Sequence, residues 1–345
     1  MSAKPVTRRT GAMDQIIELS PSDSDPALRC DRGVSFVPPA DRHVHAPDLC
    51  LLGVEGDSLV ARCSCWWRGT TAGLGVIGHY AAADAESGAA LLARACDALA
   101  TAGCRTALGP MDGNTWRRYR FIVERGSEPP FFLEPDNPDD WPQHWSLAGF
   151  SRCATYTSAL NDDLSSEDPR TSGSFARLTA AGISIRTLDP AQGDAELRRI
   201  FALSTVAFKR NLFYAPIPEA EFLAQNHAVL PFVRPELILL AERDDALVGF
   251  MFALPDLLQG RRGAALGTVV LKTIAVDPSV SGMGLGGVLM DLVQRTARQM
   301  GFRRAIHALI HETNESRRIS DRYARTIRRY ALFSRPLQGS SPVRK

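Results

Sequence analysis

Several features are missing from this 345-residue sequence, and each absence narrows the reading. No segment approaches the roughly 18 consecutive apolar residues of a membrane-crossing helix, so no membrane partner is expected. The opening MSAKPVTRRTGAMDQ has no apolar core of the kind a secretory leader carries. The seven cysteines, Cys30, Cys50, Cys63, Cys65, Cys96, Cys104 and Cys153, include no CxxC pair. An odd count without that motif fits reduced thiols and a cytoplasmic location. Cys63 and Cys65 share one face of a strand-like run, which reads as core packing, and no metal site is expected. Neither sign of charge dominates: the formal net charge is +2, with 45% hydrophobic and 23% charged residues, as in a soluble globular chain long enough for two domains.

The small net charge hides an imbalance. Residues 1–170 hold 16 Lys/Arg against 23 Asp/Glu, whereas residues 171–345 hold 24 against 15. The second half is therefore basic, which suits a polyanionic cofactor first and nucleic acid second.

That basic half contains the most informative stretch, Thr268–Gly301. Val269, Val270, Leu271, Ile274, Ala275 and Val276 form a run rich in β-branched residues, as in a buried strand. Asp277-Pro278 stops it. Ser281–Gly287, SGMGLGG, follows, and Leu285, Val288, Leu289, Leu292 and Val293 then recur at helical spacing. Gly301 and Phe302 read as the helix stop. A glycine-rich turn opening a helix can hold a diphosphate, because the first helical N–H groups lack intrahelical partners and the dipole is positive there. The turn is neither a P-loop, lacking Lys-Ser/Thr, nor a dinucleotide fingerprint, lacking the early βαβ unit and the acidic residue at ribose spacing.

This stretch resembles the GNAT superfamily of acyl-CoA-dependent N-acyltransferases. In that family an apolar–Ala–Val–x–Pro strand end precedes Arg/Gln-x-x-Gly-x-Gly/Ala. The matching residues here are Ile274-Ala275-Val276-Asp277-Pro278 and Ser281-Gly282-Met283-Gly284-Leu285-Gly286. Ser281 stands where Arg or Gln is usual. The resemblance implies an α/β fold with a mixed sheet and acetyl-CoA or another acyl-CoA as co-substrate.

Taken in order, the chain reads as two GNAT-like domains in tandem. Residues 1–45 are expected to be a flexible arm with an edge strand near Ile16–Leu19. Residues 46–160 are expected to be a divergent copy: a hairpin over Leu51–Trp67, a strand Leu74–Tyr80, a helix Ala89–Ala102 and a strand Arg105–Gly109. A helix opening on a capping box at Asp140 and Gln143 and a strand Ser151–Leu160 complete it. Its counterpart of the cofactor turn, Ala83–Gly88, carries Asp84 and Glu86 where a diphosphate would sit, so this copy is expected not to bind CoA. Residues 161–180 read as a linker, 181–337 as the CoA-binding catalytic domain, and 338–345 as a disordered tail. The whole layout, with NLFYAPIPEAEF, VGFMFALPDLLQ and TIRRYALF, also resembles a group of bacterial tandem GNAT proteins.

The resemblance assigns provisional roles. Ile274, Ala275 and Val276 would pair with the pantetheine, with an N–H of Ala275 or Val276 polarising the thioester carbonyl. Ser281, Gly282, Met283, Gly284, Leu285, Gly286 and Gly287 would hold the diphosphate, and Asn314 would contact the pantetheine. The family's acid, a Tyr seven residues after that Asn, falls on Asp321 here; Tyr323 is the nearest phenol. His311 and Glu312 are candidate bases. Asn211, Phe213 and Tyr214 would wall the acceptor pocket, and Lys272 would bind an acceptor carboxylate if it faces the cleft. Arg317, Arg318, Arg322, Arg325, Arg328 and Arg329 read either as a solvated face or as a phosphate or RNA contact.

The expected activity is transfer of an acyl group, acetyl first, from CoA to a small-molecule amine by direct attack in a ternary complex. A long-chain acyl donor is a variant. A non-catalytic acyl-CoA-binding regulator is the alternative from a different class, and an RNA-linked transferase a third. Sparse aromatics among the arginines argue against a dedicated nucleic-acid module. Nothing in the sequence sets the acceptor or the oligomeric state.

Overall fold

The structure is a computed structural model that describes residues 13–165 and 168–337. The expected disordered tail, and residues 1–12 of the expected arm, lie outside the described residues. The fold is mixed α/β, and backbone contacts divide the chain into two compact units. The first takes the chain up to Phe121, Asn137–Ala154 and the residues from Ala331 onward; the second takes Ile122–Asp136 and Thr155–Tyr330.

The first unit contains β1 (Gln15–Leu19), α1 (Pro39–His45), β2 (Leu49–Glu55), β3 (Ser58–Trp66), β4 (Leu74–Ala82), α2 (Ala85–Thr101) and β5 (Thr106–Gly109). After β6 (Phe121–Glu124), which falls almost wholly in the second unit, come α3 (Trp141–Leu147) and β7 (Ser151–Asn161), which the second unit takes from Thr155 on. Strands β1 to β5 lie in sequence order; all pairs are antiparallel except β4 with β5. Residues Phe333–Pro336 pair antiparallel with β5. Helix α2 forms because Leu91, Leu92, Ala95, Cys96 and Leu99 make one buried face. Its core neighbours include an aromatic group in which Tyr80 meets Trp141 and Trp145 edge-on at 5.3 and 5.6 Å.

The second unit contains α4 (Arg170–Ala180), β8 (Ser184–Thr187), α5 (Gly193–Ala207), α6 (Glu219–His227), β9 (Ile238–Arg243), β10 (Ala246–Pro255) and α7 (Leu257–Arg261). Next come β11 (Thr268–Val276), α8 (Leu285–Gln299), β12 (Arg304–His311), α9 (Glu315–Ser320) and β13 (Arg325–Pro336). The strand order is β7-β12-β11-β10-β9-β8, with β11 and β12 the parallel pair. Each unit thus repeats one plan: three antiparallel strands, then a helix that crosses to a parallel strand. In the second unit Val288, Leu289, Val293 and Ala297 of α8 are fully buried against a core that includes Met251, Val269 and Ala305.

Three local expectations change. The polar stretch NDDLSSEDPRTSGS, with the residues after it, is not all linker: α4 starts at Arg170, and Leu178 buries its apolar side. Asp140 does not cap α3; its carboxylate stands 3.4 Å from Nε2 of His144 one turn on. The arm contains α1, ended by Ala46 in a left-handed conformation.

The arginine-rich segment resolves into α9 and β13, and five of its six arginines form ion pairs within the chain. Arg317 pairs with Asp321, Arg322 with Asp168, Arg325 with Glu128 and Asp162, and Arg329 with Glu124 and Glu312. Arg328 meets Glu134 at 3.1 Å with both side chains fully buried, and Glu134 also accepts from the Tyr330 hydroxyl. Removing one partner of a buried pair leaves an uncompensated charge. Arg328→Met is therefore expected to cost about 3–5 kcal/mol in urea unfolding. The double variant Arg328→Met with Glu134→Leu should recover much of that loss.

Candidate active site

The site begins where two parallel strands part. The β11–β12 ladder runs from Thr268–Arg304 to Leu271–His307 and stops. Both strands become irregular at that rung. On β11, Thr273 faces Phe252 and Leu271 faces Ala253 of β10, so Lys272 is an extra residue, a bulge. On β12 the register against β7 shifts between His307 and Ile310, and Leu309 takes a φ of +60°. Leu309 N–H donates to Ser158 Oγ at 3.1 Å.

His307 locks the last shared rung. Gln294 Oε1 accepts from Asn161 Nδ2 at 2.8 Å and lies 3.1 Å from His307 Nε2, which therefore carries the proton. Nδ1 accepts from the Ser320 hydroxyl at 2.8 Å. Burial holds this imidazole down to about 4, so it is neutral.

Beyond the rung, one edge of β11 is exposed by the departure of β12. Asp277 N–H donates to Val248 C=O at 2.8 Å on the β10 side. By alternation Ala275 also turns its backbone groups to β10, and Ile274 and Val276 turn theirs to the edge that β12 has left. The turn follows. Asp277 Oδ1 accepts from Ser279 N–H at 2.8 Å, Val280 plugs into the core, and Ser281 and Gly282 are exposed. Gly284 opens α8 with φ +89°, a left-handed conformation that a side chain resists. The first intrahelical bond is Val288 N–H to Gly284 C=O, so the N–H groups of Leu285, Gly286 and Gly287 head the helix without partners inside it. A Cβ on Gly286 would lie 3.6 Å from Ile274 Cδ1 and 3.9 Å from Val276 Cγ2, which shows how closely the helix start meets the strand end.

Two arginines flank this turn: Arg322, one of the arginines read in the sequence as a solvated face or a phosphate contact, and Arg177, which the sequence did not single out. Arg177 of α4 donates to Ser174 Oγ at 2.9 Å; a Cβ on Gly284 would meet that Oγ at 2.7 Å and the Arg177 Nη2 at 3.9 Å. Arg322 Nη1 would lie 3.8 Å from a Cβ on Gly287, held by Asp168 at 2.8 Å. The guanidinium beside the turn thus comes from a helix within the expected linker rather than from position 281.

The other named residues are distributed as follows. Asn314 is exposed and precedes α9. The Tyr323 hydroxyl is fully buried, and burial first, then the Asp291 carboxylate, push it up to about 12. His311 Nδ1 lies 2.8 Å from Thr313 Oγ1, and its ring meets Tyr156 edge-on at 4.9 Å. Glu312 is exposed and ion-paired with Arg329 at 2.9 Å. Lys272 Nζ donates to Leu133 C=O at 3.0 Å. Asn211 is exposed, while Phe213, at φ +60°, and Tyr214 are half-buried in the turn after α5.

The first unit builds the same plan and closes it. Its parallel ladder ends at Val76–Leu108. Instead of an open edge, Met111 N–H donates to Ile77 C=O at 2.9 Å, and a Cβ on Gly78 would collide with the Met111 carbonyl. At the start of α2, Asp84 accepts from Ser87 N–H at 2.8 Å and from its hydroxyl at 3.1 Å. A carboxylate of the chain itself occupies the place where an anion would bind.

The family model for the acetyltransferase (GNAT) family matches residues 198–322, which span α5 to α9 and contain the parted strands and the glycine turn. The match is to the GNAT acetyltransferase domain and is confined to these residues of the second unit. No curated protein matches its sequence. Among solved structures it is similar to a GCN5-related N-acetyltransferase from Sphaerobacter thermophilus, at 14% identity and TM-score 0.49, covering 85% of this chain and 82% of that one. It is also similar to the glucosamine N-acetyltransferase region of a fungal multi-domain β-N-acetylglucosaminidase, at 12% identity and TM-score 0.51 over 83% of this chain; the chain spans 33% of that protein. A tandem GNAT protein from the clavulanic acid pathway aligns at 13% identity and TM-score 0.49, covering 95% and 99% of the two chains. At these identities the likeness concerns the fold.

The buried His307 gives the second unit a pH signature. Its folded pKa lies below the ordinary histidine value near 6.5, so the unfolded chain takes up the proton first as pH falls. Stability is then lost between about pH 6.5 and about pH 4, by up to about 3 kcal/mol. Urea unfolding at pH 7.5 and 5 should show this loss in the wild type and a smaller one in His307→Gln.

Proposed function

We propose that the chain is an acyl-CoA-dependent N-acyltransferase in which only the second unit binds the cofactor, with acetyl-CoA the favoured donor and a small-molecule amine the acceptor. The observation that carries this reading is the contrast between two copies of one plan: an open strand edge and uncapped helix start in the second, a filled edge and self-capped helix start in the first. The pantetheine pairs with the open edge at Ile274 and Val276, so Val276 rather than Ala275 presents the N–H that polarises the thioester carbonyl. The diphosphate lies on the amides of Gly282–Gly287, with Arg177 and Arg322 supplying the positive charge that Ser281 does not.

In the reaction the acceptor amine attacks the thioester carbonyl, the C–N bond forms, and the CoA thiolate leaves and is protonated. His311, at the end of β12, is the base we favour; Glu312 is engaged by Arg329. Burial of the Tyr323 hydroxyl favours a packing role over proton donation, so Tyr323→Phe is expected to keep kcat within about three-fold. Loss of a positioned acid typically costs about 10²–10⁴-fold, which is the result that would restore Tyr323 to catalysis.

The same burial, with Glu312 in an ion pair, motivates one rival: an acyl-CoA-binding regulator without turnover. Thiol release from acetyl-CoA with a panel of amines separates the two, since tight binding without release on any amine is the regulator's signature. The placement of the cofactor is tested by calorimetry. Gly284→Glu puts a carboxylate and a side chain into the diphosphate cradle and should abolish CoA binding, whereas Glu86→Ala in the first unit should leave it unchanged. Equal affinity in wild type and Gly284→Glu would refute the placement.

A further inference from the structure

We propose that His45, His79 and Asp112 of the first unit form a zinc site. Their ligand atoms all lie within 4.8 Å of one another. They arrive from three separate elements: the last residue of α1, the middle of β4 and the loop after β5. His79 is held at φ +49° inside a strand, a conformation that costs on the order of 1 kcal/mol or more for a residue with a side chain. Its peptide groups are pinned: its N–H donates to Asp112 Oδ1 at 2.6 Å, and its C=O accepts from Arg62 Nη1 at 2.7 Å.

The hydrogen bonds around the ring define what it offers. Ser64 Oγ donates toward Cys50 Sγ at 3.6 Å, so its oxygen accepts from His79 Nδ1, 3.0 Å away. The proton is then on Nδ1, and Nε2 is a bare lone pair facing His45 Nδ1 at 2.7 Å. A ring nitrogen bound behind by a hydroxyl, with the other aimed at a second imidazole and a carboxylate nearby, is how a metal-ligating histidine is oriented. Two imidazoles and one carboxylate suit zinc, and three protein ligands leave a fourth position for water.

The competing arrangement is a plain hydrogen bond from His45 Nδ1–H to His79. Zinc bonds of about 2.0–2.1 Å in a tetrahedron set ligand nitrogens about 3.3 Å apart, so the rings must separate by roughly half an ångström. His45, at the end of its helix, is the one that shifts. Arg62, Arg117 and Arg118 are the neighbouring cations that oppose a metal. Two of them point at carbonyl oxygens: Arg62 at His79, and Arg117 at His45, Asp112 and Val44 within 3.1–3.3 Å. The bound ion would brace α1 against β4.

The test uses the full-length protein, stripped with chelator and titrated with zinc and with cobalt(II) as a visible reporter. The expected result is one ion per chain, visible cobalt bands, and a zinc-dependent rise in melting temperature. His45→Ala and Asp112→Asn should each abolish the bands while keeping the far-UV circular dichroism of the wild type. Ser64→Ala should weaken zinc by about ten- to a hundred-fold, and His43→Ala should change nothing. The proposal is overturned by a wild type without cobalt bands, or by zinc binding that survives both His45→Ala and Asp112→Asn.

Discussion

The second unit depends on a single rung, Leu271 against His307, where the parallel pairing of β11 and β12 ends. Parallel strands normally continue side by side, because each unpaired peptide group inside a protein forfeits a hydrogen bond. Here a bulge at Lys272 and the left-handed Leu309 turn both strands away from the ladder immediately after the rung. The buried chain Asn161–Gln294–His307–Ser320 holds the rung in place from the helical side. The result is a strand edge that β12 has left, next to the glycine-rich start of α8, the arrangement on which the proposed placement of the cofactor rests.

The first unit shows what happens when the same plan is not kept open. Met111 fills the place beside Ile77, and Asp84 satisfies the start of α2. The Ile77 carbonyl and the Ser87 N–H, at the matching places, are thus met by the chain itself. On the proposed reading the two similar scaffolds differ in their capacity for a cofactor, and the first carries a separate feature, the His45–His79 pair.

Much of this was legible in the sequence. The β-branched run Val269–Val276 and the helical spacing after Leu285 fixed the strand, turn and helix, because each signal lies within a few residues of the next. The same locality made the Leu51–Trp67 hairpin readable. The rest depends on contacts between residues far apart in the chain. The arginine-rich segment read as a surface or a ligand site because its partners, Glu128, Glu134, Asp162 and Asp168, lie well upstream. Helix α4 was masked by the serines, glycine and acidic residues around it, and with it Arg177. The apparent capping box at Asp140 failed because the carboxylate is turned toward His144. The parting of two strands leaves no mark in composition at all.

Hydrogen–deuterium exchange with and without CoA is the most direct test, since it reads both copies in one experiment. The account predicts slowed exchange at Ile274, Val276 and Gly282–Val288, with no change at residues 77–90 of the first unit. Protection of residues 77–90, or none across Ile274–Val288 at saturating CoA, would contradict it.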